Sequence, residues 1–103
     1  MTHPFTSRVS AAPDVLVQVM GEEAVMLNLK TELYLGLDAV GTRMWILLTE
    51  SPSIQHAYES LLREYEVEAT RLERELNDFI DRLLEQSLIH LGAGELSATG
   101  VAQ

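Results

Sequence analysis

Carboxylates are the most abundant groups in this sequence that could do chemistry. The chain has 16 Asp and Glu residues, and Glu75 and Asp78 stand three residues apart. Two carboxylates on one helical face could act as a general acid and a general base. Arg71, Arg74 and Arg82 belong to the same segment, however, and an i, i+4 pair such as Asp78–Arg82 stabilises an exposed helix face. The pattern therefore favours a solvated, charge-balanced face over acid–base catalysis.

The other reactive residue types form no recognisable site. His3, His56 and His90 are the only histidines, none has a second histidine three or four residues away, and there is no cysteine. No serine stands in a strained glycine-flanked turn, as the nucleophile of many hydrolases does. The six glycines form no phosphate-binding loop. We therefore predict a protein that is not an enzyme and needs no metal and no cofactor.

Charge and hydropathy exclude two further classes of partner. The net charge is −9 and the seven basic residues are spread along the chain, whereas a nucleic-acid-binding protein needs clustered Lys and Arg. The longest apolar run, Met44 to Leu48, is far shorter than the ~20 residues that span a bilayer. No signal peptide is visible. We expect a cytoplasmic protein with no nucleic-acid partner and no membrane partner.

The first half of the chain has the two-residue period of β-strands. Residues 15–20 alternate β-branched valines with other residues, and Gly21–Glu23 interrupts them as a hairpin turn would. Ala24–Leu27 is a second predicted strand, and Leu33–Leu37 is a third. Short turns between consecutive strands indicate an antiparallel meander. Its third strand has leucines on one face and Tyr34 and Gly36 on the other.

The second half has the helical period. Asp38 is suited to cap a first helix, Ser51 or Ser53 a second, and a third is predicted from about Ala69 to Gln86. The predicted fold class is α+β, with a three-stranded antiparallel sheet followed by three helices. Leu88–Leu91 could add a short strand to that sheet. The predicted domain covers residues 14–91, between flexible tails at 1–13 and 92–103.

The junction between the third strand and the first helix reads Tyr34-Leu-Gly-Leu-Asp-Ala-Val-Gly41-Thr-Arg-Met-Trp45. This segment resembles the signature of the pyrroloquinoline quinone biosynthesis protein D family, also called PqqD. Four further segments follow the order of the family's motifs, and they are Glu23–Asn28, Tyr65–Val67, Glu75–Ile80 and Leu88–Ile89. One position departs from the pattern, because Ser87 stands where the family has glycine. That departure bears on the geometry of the last turn.

The resemblance implies a winged-helix-like domain that recognises precursor peptides of ribosomally made natural products, such as lasso peptides or the quinone cofactor. Such domains bind the leader segment of the precursor as a strand beside the third strand, in a groove that the third helix closes. They then present the precursor to a modification enzyme or leader protease, of the radical S-adenosylmethionine or transglutaminase-like protease class. The implied peptide-binding residues are Leu33, Tyr34, Leu35, Gly36, Leu37, Arg71, Leu72, Glu75, Leu76, Asp78, Phe79 and Arg82.

The general properties of β-sheets support the binding of a peptide as an added strand and leave alternatives open. An outer strand of a meander has unpaired N–H and C=O groups that can template an incoming peptide. Gly36 would allow close approach of another backbone, or it could equally mark a bend. The same architecture is found in winged-helix DNA-binding regulators, which the negative charge disfavours. A structural or dimerisation module is the third possibility, since exposed strand edges also pair with each other.

Overall fold

A computed structural model describes residues 4–92 of the chain. Eight elements follow one another, and they are β1 (Arg8–Ala11), β2 (Val15–Met20), β3 (Glu23–Asn28), β4 (Tyr34–Leu37), α1 (Ala39–Glu50), α2 (Ile54–Glu64), α3 (Ala69–Glu85) and β5 (Ile89–Gly92). The three strands and three helices predicted from the sequence are confirmed as β2–β4 and α1–α3. The fold is α+β, as predicted.

The meander is a three-stranded antiparallel sheet in the order β2-β3-β4. A two-residue turn joins β2 to β3, and its first residue, Gly21, has a φ of +66°, a conformation that glycine adopts without steric cost. The face that carries Ala24, Met26 and Leu35 is buried, whereas the opposite face carries exposed side chains such as Leu16. The helices therefore cover one face of the sheet.

Asn28, at the end of β3, joins the meander to the last helix. Its side chain is buried, and its Oδ1 accepts hydrogen bonds from the backbone N–H groups of Lys30 (2.9 Å) and Thr31 (3.2 Å). Its Nδ2 donates to the carbonyl oxygens of Gln86 (3.3 Å) and Ser87 (3.0 Å). One amide thus shapes the β3–β4 turn and satisfies carbonyl groups at the C-terminus of α3, where a helix lacks internal donors.

The N-terminal segment corrects the prediction of a flexible tail at 1–13. Arg8–Ala11 forms β1, which pairs antiparallel with β5 in a separate two-stranded sheet. Val9 is the only buried side chain of this strand, and it is 1% exposed. The predicted terminal strand at 88–91 exists as β5, but it pairs with β1 and not with the meander. Gly92 belongs to β5, and the remainder of the predicted C-terminal tail lies outside the described residues.

Each helix places an apolar stripe in one common core. The fully buried side chains include Leu48, Ile54, Leu61, Leu76 and Ile80, and Trp45 and Phe79 are each 6% exposed. The predicted caps of the first two helices are confirmed. Asp38 accepts from the N–H of Gly41 at 2.8 Å, and Ser53 accepts from the N–H of His56 at 3.3 Å. Because Asp38 is the cap of α1, that helix begins directly after β4 without an intervening loop.

Candidate functional site

The outer edge of β4 is open along the sheet. Asn28 donates its backbone N–H to the carbonyl of Leu33 at 2.9 Å, so these residues form a hydrogen-bonded pair. Bonded and non-bonded pairs alternate along an antiparallel ladder. In the register Met26↔Leu35 and Val25↔Gly36, the N–H and C=O of Leu35 therefore face β3. Those of Tyr34 and Gly36 face outward, and no described backbone group pairs with them there.

The side chains of β4 divide between the core and solvent as predicted. Leu35 and Leu37 are buried, whereas Tyr34 is 72% exposed and Gly36 is exposed. Leu33, which precedes the strand, is 55% exposed. No atom lies within 4 Å of the position that a Cβ on Gly36 would take. Gly36 therefore leaves open space beside an edge that presents backbone donors and acceptors.

A groove of about 270 Å³ lies between the start of α1 and the side of α3, and Asp38, the residue that follows β4, also lines it. Its apolar surfaces come from Val40, Met44 and Phe79, of which only Val40 is substantially exposed. Its charged and backbone surfaces come from Asp38, Gly41, Glu75, Asp78 and Arg82. A Cβ on Gly41 would meet Asp38 Oδ1 at 3.3 Å and Leu37 Cβ at 3.6 Å, so this position is closely packed. The groove combines an apolar floor with a charged rim.

The residues predicted on α3 occupy three different environments. Glu75, Asp78, Phe79 and Arg82 line the groove. Arg71 lies on the adjacent exposed surface, where its Nε bonds Glu75 Oε2 at 2.9 Å. The two remaining predicted residues, Leu72 and Leu76, are 3% and 0% exposed, so they support the helix from within the core.

The pairing of charges on α3 differs from the expectation in one respect. The i, i+4 pair between Arg71 and Glu75 forms, but no ion pair joins Asp78 to Arg82. Among the described residues, neither of these two charged groups has a side-chain hydrogen bond or an ion pair. The charges of Asp78 and Arg82 are therefore available at the rim of the groove.

Sequence reasoning missed the contribution of α1 to the groove. The sequence predicts Asp38 as a helix cap, and Val40 and Met44 recur at helical spacing, but neither pattern places these residues in a groove. The sequence does contain one signal for this contribution, since Asp38, Val40 and Met44 directly follow the predicted third strand, which lies at the edge of the sheet. Which side of α1 meets α3 depends on tertiary packing, which periodicity alone does not specify.

Two other cavities lie away from this groove. One, of about 350 Å³, is formed by the β2–β3 turn and α1 and includes Arg43. The guanidinium of Arg43 bonds both carboxylate oxygens of Glu64, at 2.8 and 2.6 Å. This hydrogen bonding raises the pKa of Arg43 and lowers the pKa of Glu64. The ion pair connects α1 to the end of α2. The second cavity, of about 360 Å³, lies beside Asn28 and His90.

The described residues hold no arrangement typical of a metal site or a membrane span. Between residues 4 and 92, no three His, Asp or Glu side chains come together as metal ligands would. No helix in that range is both long and apolar enough to cross a bilayer.

A match to a known protein family covers most of the described chain. Residues 23–89 match the family described as coenzyme PQQ synthesis protein D (PqqD). This chain belongs to the PqqD family. The matched range includes β3, β4, all three helices and every residue that lines the groove. No curated protein is significantly similar to the chain.

Two solved structures share the fold of this PqqD-family chain. TbiB1 in complex with the TbiA(beta) leader peptide is 35% identical, with a TM-score of 0.72, covering 79% of this chain and 94% of that one. Lasso peptide synthetase B1 complexed with the leader peptide is 24% identical, with a TM-score of 0.70, covering 81% of this chain and 98% of that one. The resemblance inferred from the sequence is confirmed by the family match and by the first of these structures.

Proposed function

We propose that this chain binds the leader segment of a ribosomally synthesised precursor peptide and presents that precursor to a separate enzyme. The observation that carries the proposal is the open edge of β4 beside a groove lined by α1 and α3. The proposal is supported by family membership and by a relative, 35% identical, whose structure is described as a complex with a leader peptide. In this role the chain catalyses no reaction itself and acts in the cytoplasm.

The leader would extend the sheet as a fourth strand of the meander. Tyr34 and Gly36 each offer one N–H and one C=O, so the edge can form up to four backbone hydrogen bonds. Alternate side chains of the added strand would point toward the covered face of the sheet, where the groove lies. The backbone would thus provide sequence-independent pairing, and the groove would provide selectivity.

The expected affinity follows from these two contributions. Four hydrogen bonds, each with a net value of about 0.5–1.5 kcal/mol, contribute roughly 2–6 kcal/mol. Micromolar to nanomolar binding corresponds to about 8–12 kcal/mol. Apolar anchors in the groove, each contributing about 1.5–3 kcal/mol on burial, must supply the rest and also offset the ordering of the leader. A short leader would bury an interface near or below about 1,200 Å².

The proposed binding residues are those of β4 and the exposed rim of α3. Leu33–Leu37 supplies the pairing edge, and Arg71, Glu75, Asp78, Phe79 and Arg82 border the bound strand. Leu72 and Leu76 act from the core by keeping α3 in place. The partner enzyme would be a modification enzyme or a leader protease. Neither the family match nor the solved structures support the alternative of a DNA-binding regulator.

A titration followed by NMR tests the binding site. The probe is the leader of the precursor peptide encoded beside the gene, added to isotope-labelled full-length protein. The amide signals of Tyr34, Gly36, Asp78 and Phe79 should shift first. Shifts confined to α2 or to the β1–β5 sheet would contradict strand addition at β4, even if the peptide bound.

Two proline variants separate edge pairing from general damage. Gly36→Pro removes an outward N–H and should weaken leader binding with little loss of stability, because proline is tolerated at an open edge. Leu35→Pro removes an N–H that faces β3 and should destabilise the domain itself. Thermal melts and binding isotherms of both variants provide the comparison. Unchanged binding by a folded Gly36→Pro variant would refute the strand-addition mechanism.

A further inference from the structure

Asn28 fixes the direction of α3 relative to β4. Its backbone N–H bonds the carbonyl of Leu33 at 2.9 Å, and its side chain bonds the carbonyls of Gln86 (3.3 Å) and Ser87 (3.0 Å). The C-terminus of α3 therefore lies beside the start of β4. At the other end of β4, Asp38 lines the same groove as Asp78. The helix and the strand thus run in opposite directions on the two sides of the groove.

This arrangement sets the level of each charged group along the edge. From Gln86, the 1.5 Å rise per helical residue places Arg82 about 6 Å, Asp78 about 12 Å and Glu75 about 16 Å along the helix. From Leu33 to Leu37, at about 3.4 Å per residue, the strand advances about 14 Å. Arg82 is therefore nearer than Asp78 to the start of β4, by about 6 Å along the helix axis. Asp78 and Glu75 lie toward the end of the strand, where Asp38 lines the same groove.

The groove consequently changes sign along its length. Glu75 is paired with Arg71 at 2.9 Å, so much of its charge is compensated. Asp38 caps α1 by accepting from the N–H of Gly41 at 2.8 Å, which offsets part of its charge. Asp78 therefore makes this end of the groove acidic. Arg82, which has no ion-pair partner among the described residues, makes the section of the groove toward the start of β4 basic. Val40, Met44 and Phe79 form the apolar surface that these opposite charges border.

A peptide strand in this groove would bring its own charges close to those of the rim. Covering the rim removes water, which strengthens both attraction and repulsion between the charges that remain. A basic residue beside Asp78 with an acidic residue beside Arg82 would be favoured, and the reverse order would place like charges together. The backbone bonds of the edge do not distinguish these two orders, but the rim does.

We propose that Asp78 and Arg82 determine specificity by selecting the order of charges in the leader. The selected leader carries an apolar anchor with a basic residue on the side toward the end of β4 and an acidic residue on the side toward its start. The inference rests on the proposed function, since it requires a peptide paired with β4. It adds to the proposed function the order of charges in the leader and the direction of that order along β4.

Selection from a library of random 16-residue peptides displayed on phage, with the full-length protein as bait, tests the inference. The decisive bait is the double variant Asp78→Arg, Arg82→Asp, which preserves composition and net charge. A matched control, Glu73→Arg with Arg74→Glu, swaps two exposed charges of α3 that do not line the groove. Thermal melts establish that both double variants fold.

Wild-type and control baits should select peptides with the same charge order around an apolar anchor, and the Asp78/Arg82 swap should select the reverse order. Reversing the charges of a selected peptide should weaken its binding to the wild type about tenfold, equivalent to about 1.4 kcal/mol. The difference should shrink as salt screens the rim. Selection of one order by all three baits, or of no order at all, overturns the inference.

A further bait separates failure of this inference from failure of the proposed function. If Gly36→Pro abolishes binding of the selected peptides but the charge order does not reverse on the swapped rim, leader pairing with β4 stands and charge selection is wrong. If the selected peptides bind a folded Gly36→Pro variant as well as the wild type, strand addition itself is refuted. A library that yields no binder on the wild type contradicts both.

Discussion

Replacement of Asn28 is the most informative test of how the groove is held together. Its buried side chain makes four hydrogen bonds, two to the β3–β4 turn and two to the C-terminus of α3. Each contributes about 0.5–1.5 kcal/mol net, so the Asn28→Ala variant would lose at most about 6 kcal/mol. Lys30 and Thr31 are exposed, and water can replace their lost acceptor. We therefore expect a loss of about 2–4 kcal/mol in the free energy of unfolding.

Asn28→Asp refines this prediction because it keeps the acceptor and removes the donor. The introduced carboxylate would face the carbonyls of Gln86 and Ser87, at the negative end of the α3 dipole. It should therefore be at least as destabilising as Asn28→Ala, although it preserves the two bonds to the turn. An isosteric substitution that costs as much as a truncation would show that the bonds to α3 dominate.

Urea unfolding and thermal melts provide the measurement. A loss of 2–4 kcal/mol corresponds to a decrease of roughly 8–30 °C in Tm for a domain of this size. Thr31→Val is a suitable control, since it removes only an exposed hydroxyl that accepts from the N–H of Leu33 at 3.2 Å. If Asn28→Ala or Asn28→Asp unfolds within about 0.5 kcal/mol of the wild type, the reasoning that this amide joins α3 to the sheet is refuted.

Three further predictions test other parts of the structure. Trp45→Ala and Phe79→Ala should each cost about 3–5 kcal/mol in unfolding free energy, and a melt as high as that of the parent would show that these side chains are not core. Ser87 has a φ of +56°, so Ser87→Gly should relieve strain and stabilise the domain by up to about 1 kcal/mol, whereas a lower Tm would contradict this. Random duplex DNA should not bind at physiological salt, because the net charge is −9, and a salt-sensitive gel shift at micromolar protein would disprove this.

Most of the fold could be predicted because local periodicity and tertiary burial agree. The third predicted strand, Leu33–Leu37, differs from β4 by one residue, and the third helix, Ala69–Gln86, differs from α3 by one. β1 could not be predicted, since Arg8–Ala11 contains one buried apolar side chain and pairs with residues at the far end of the domain. A strand that short carries no detectable alternation.

The candidate groove was only partly predictable for a similar reason. Helical spacing places Glu75, Asp78 and Arg82 on one border of α3, and the family resemblance points to that border. The contribution of Asp38 and Val40 depends on how α1 meets α3, which local spacing does not specify. Asn28, which joins the C-terminus of α3 to the β3–β4 turn, has the sequence pattern of an ordinary turn residue. The sequence does not give the phase of the β3–β4 ladder, which turns the N–H of Leu35 toward β3 and the N–H groups of Tyr34 and Gly36 outward.

The pairing of β1 with β5 has a consequence for the order in which the two sheets form during folding. Arg8 lies opposite Gly92, so this pairing closes a loop that contains nearly the whole folded chain, whereas each step of the meander closes only a short one. Loop-closure entropy delays such long-range contacts during folding. The open edge of β4 belongs to the other sheet. The meander and its open edge can therefore form before the two terminal strands pair.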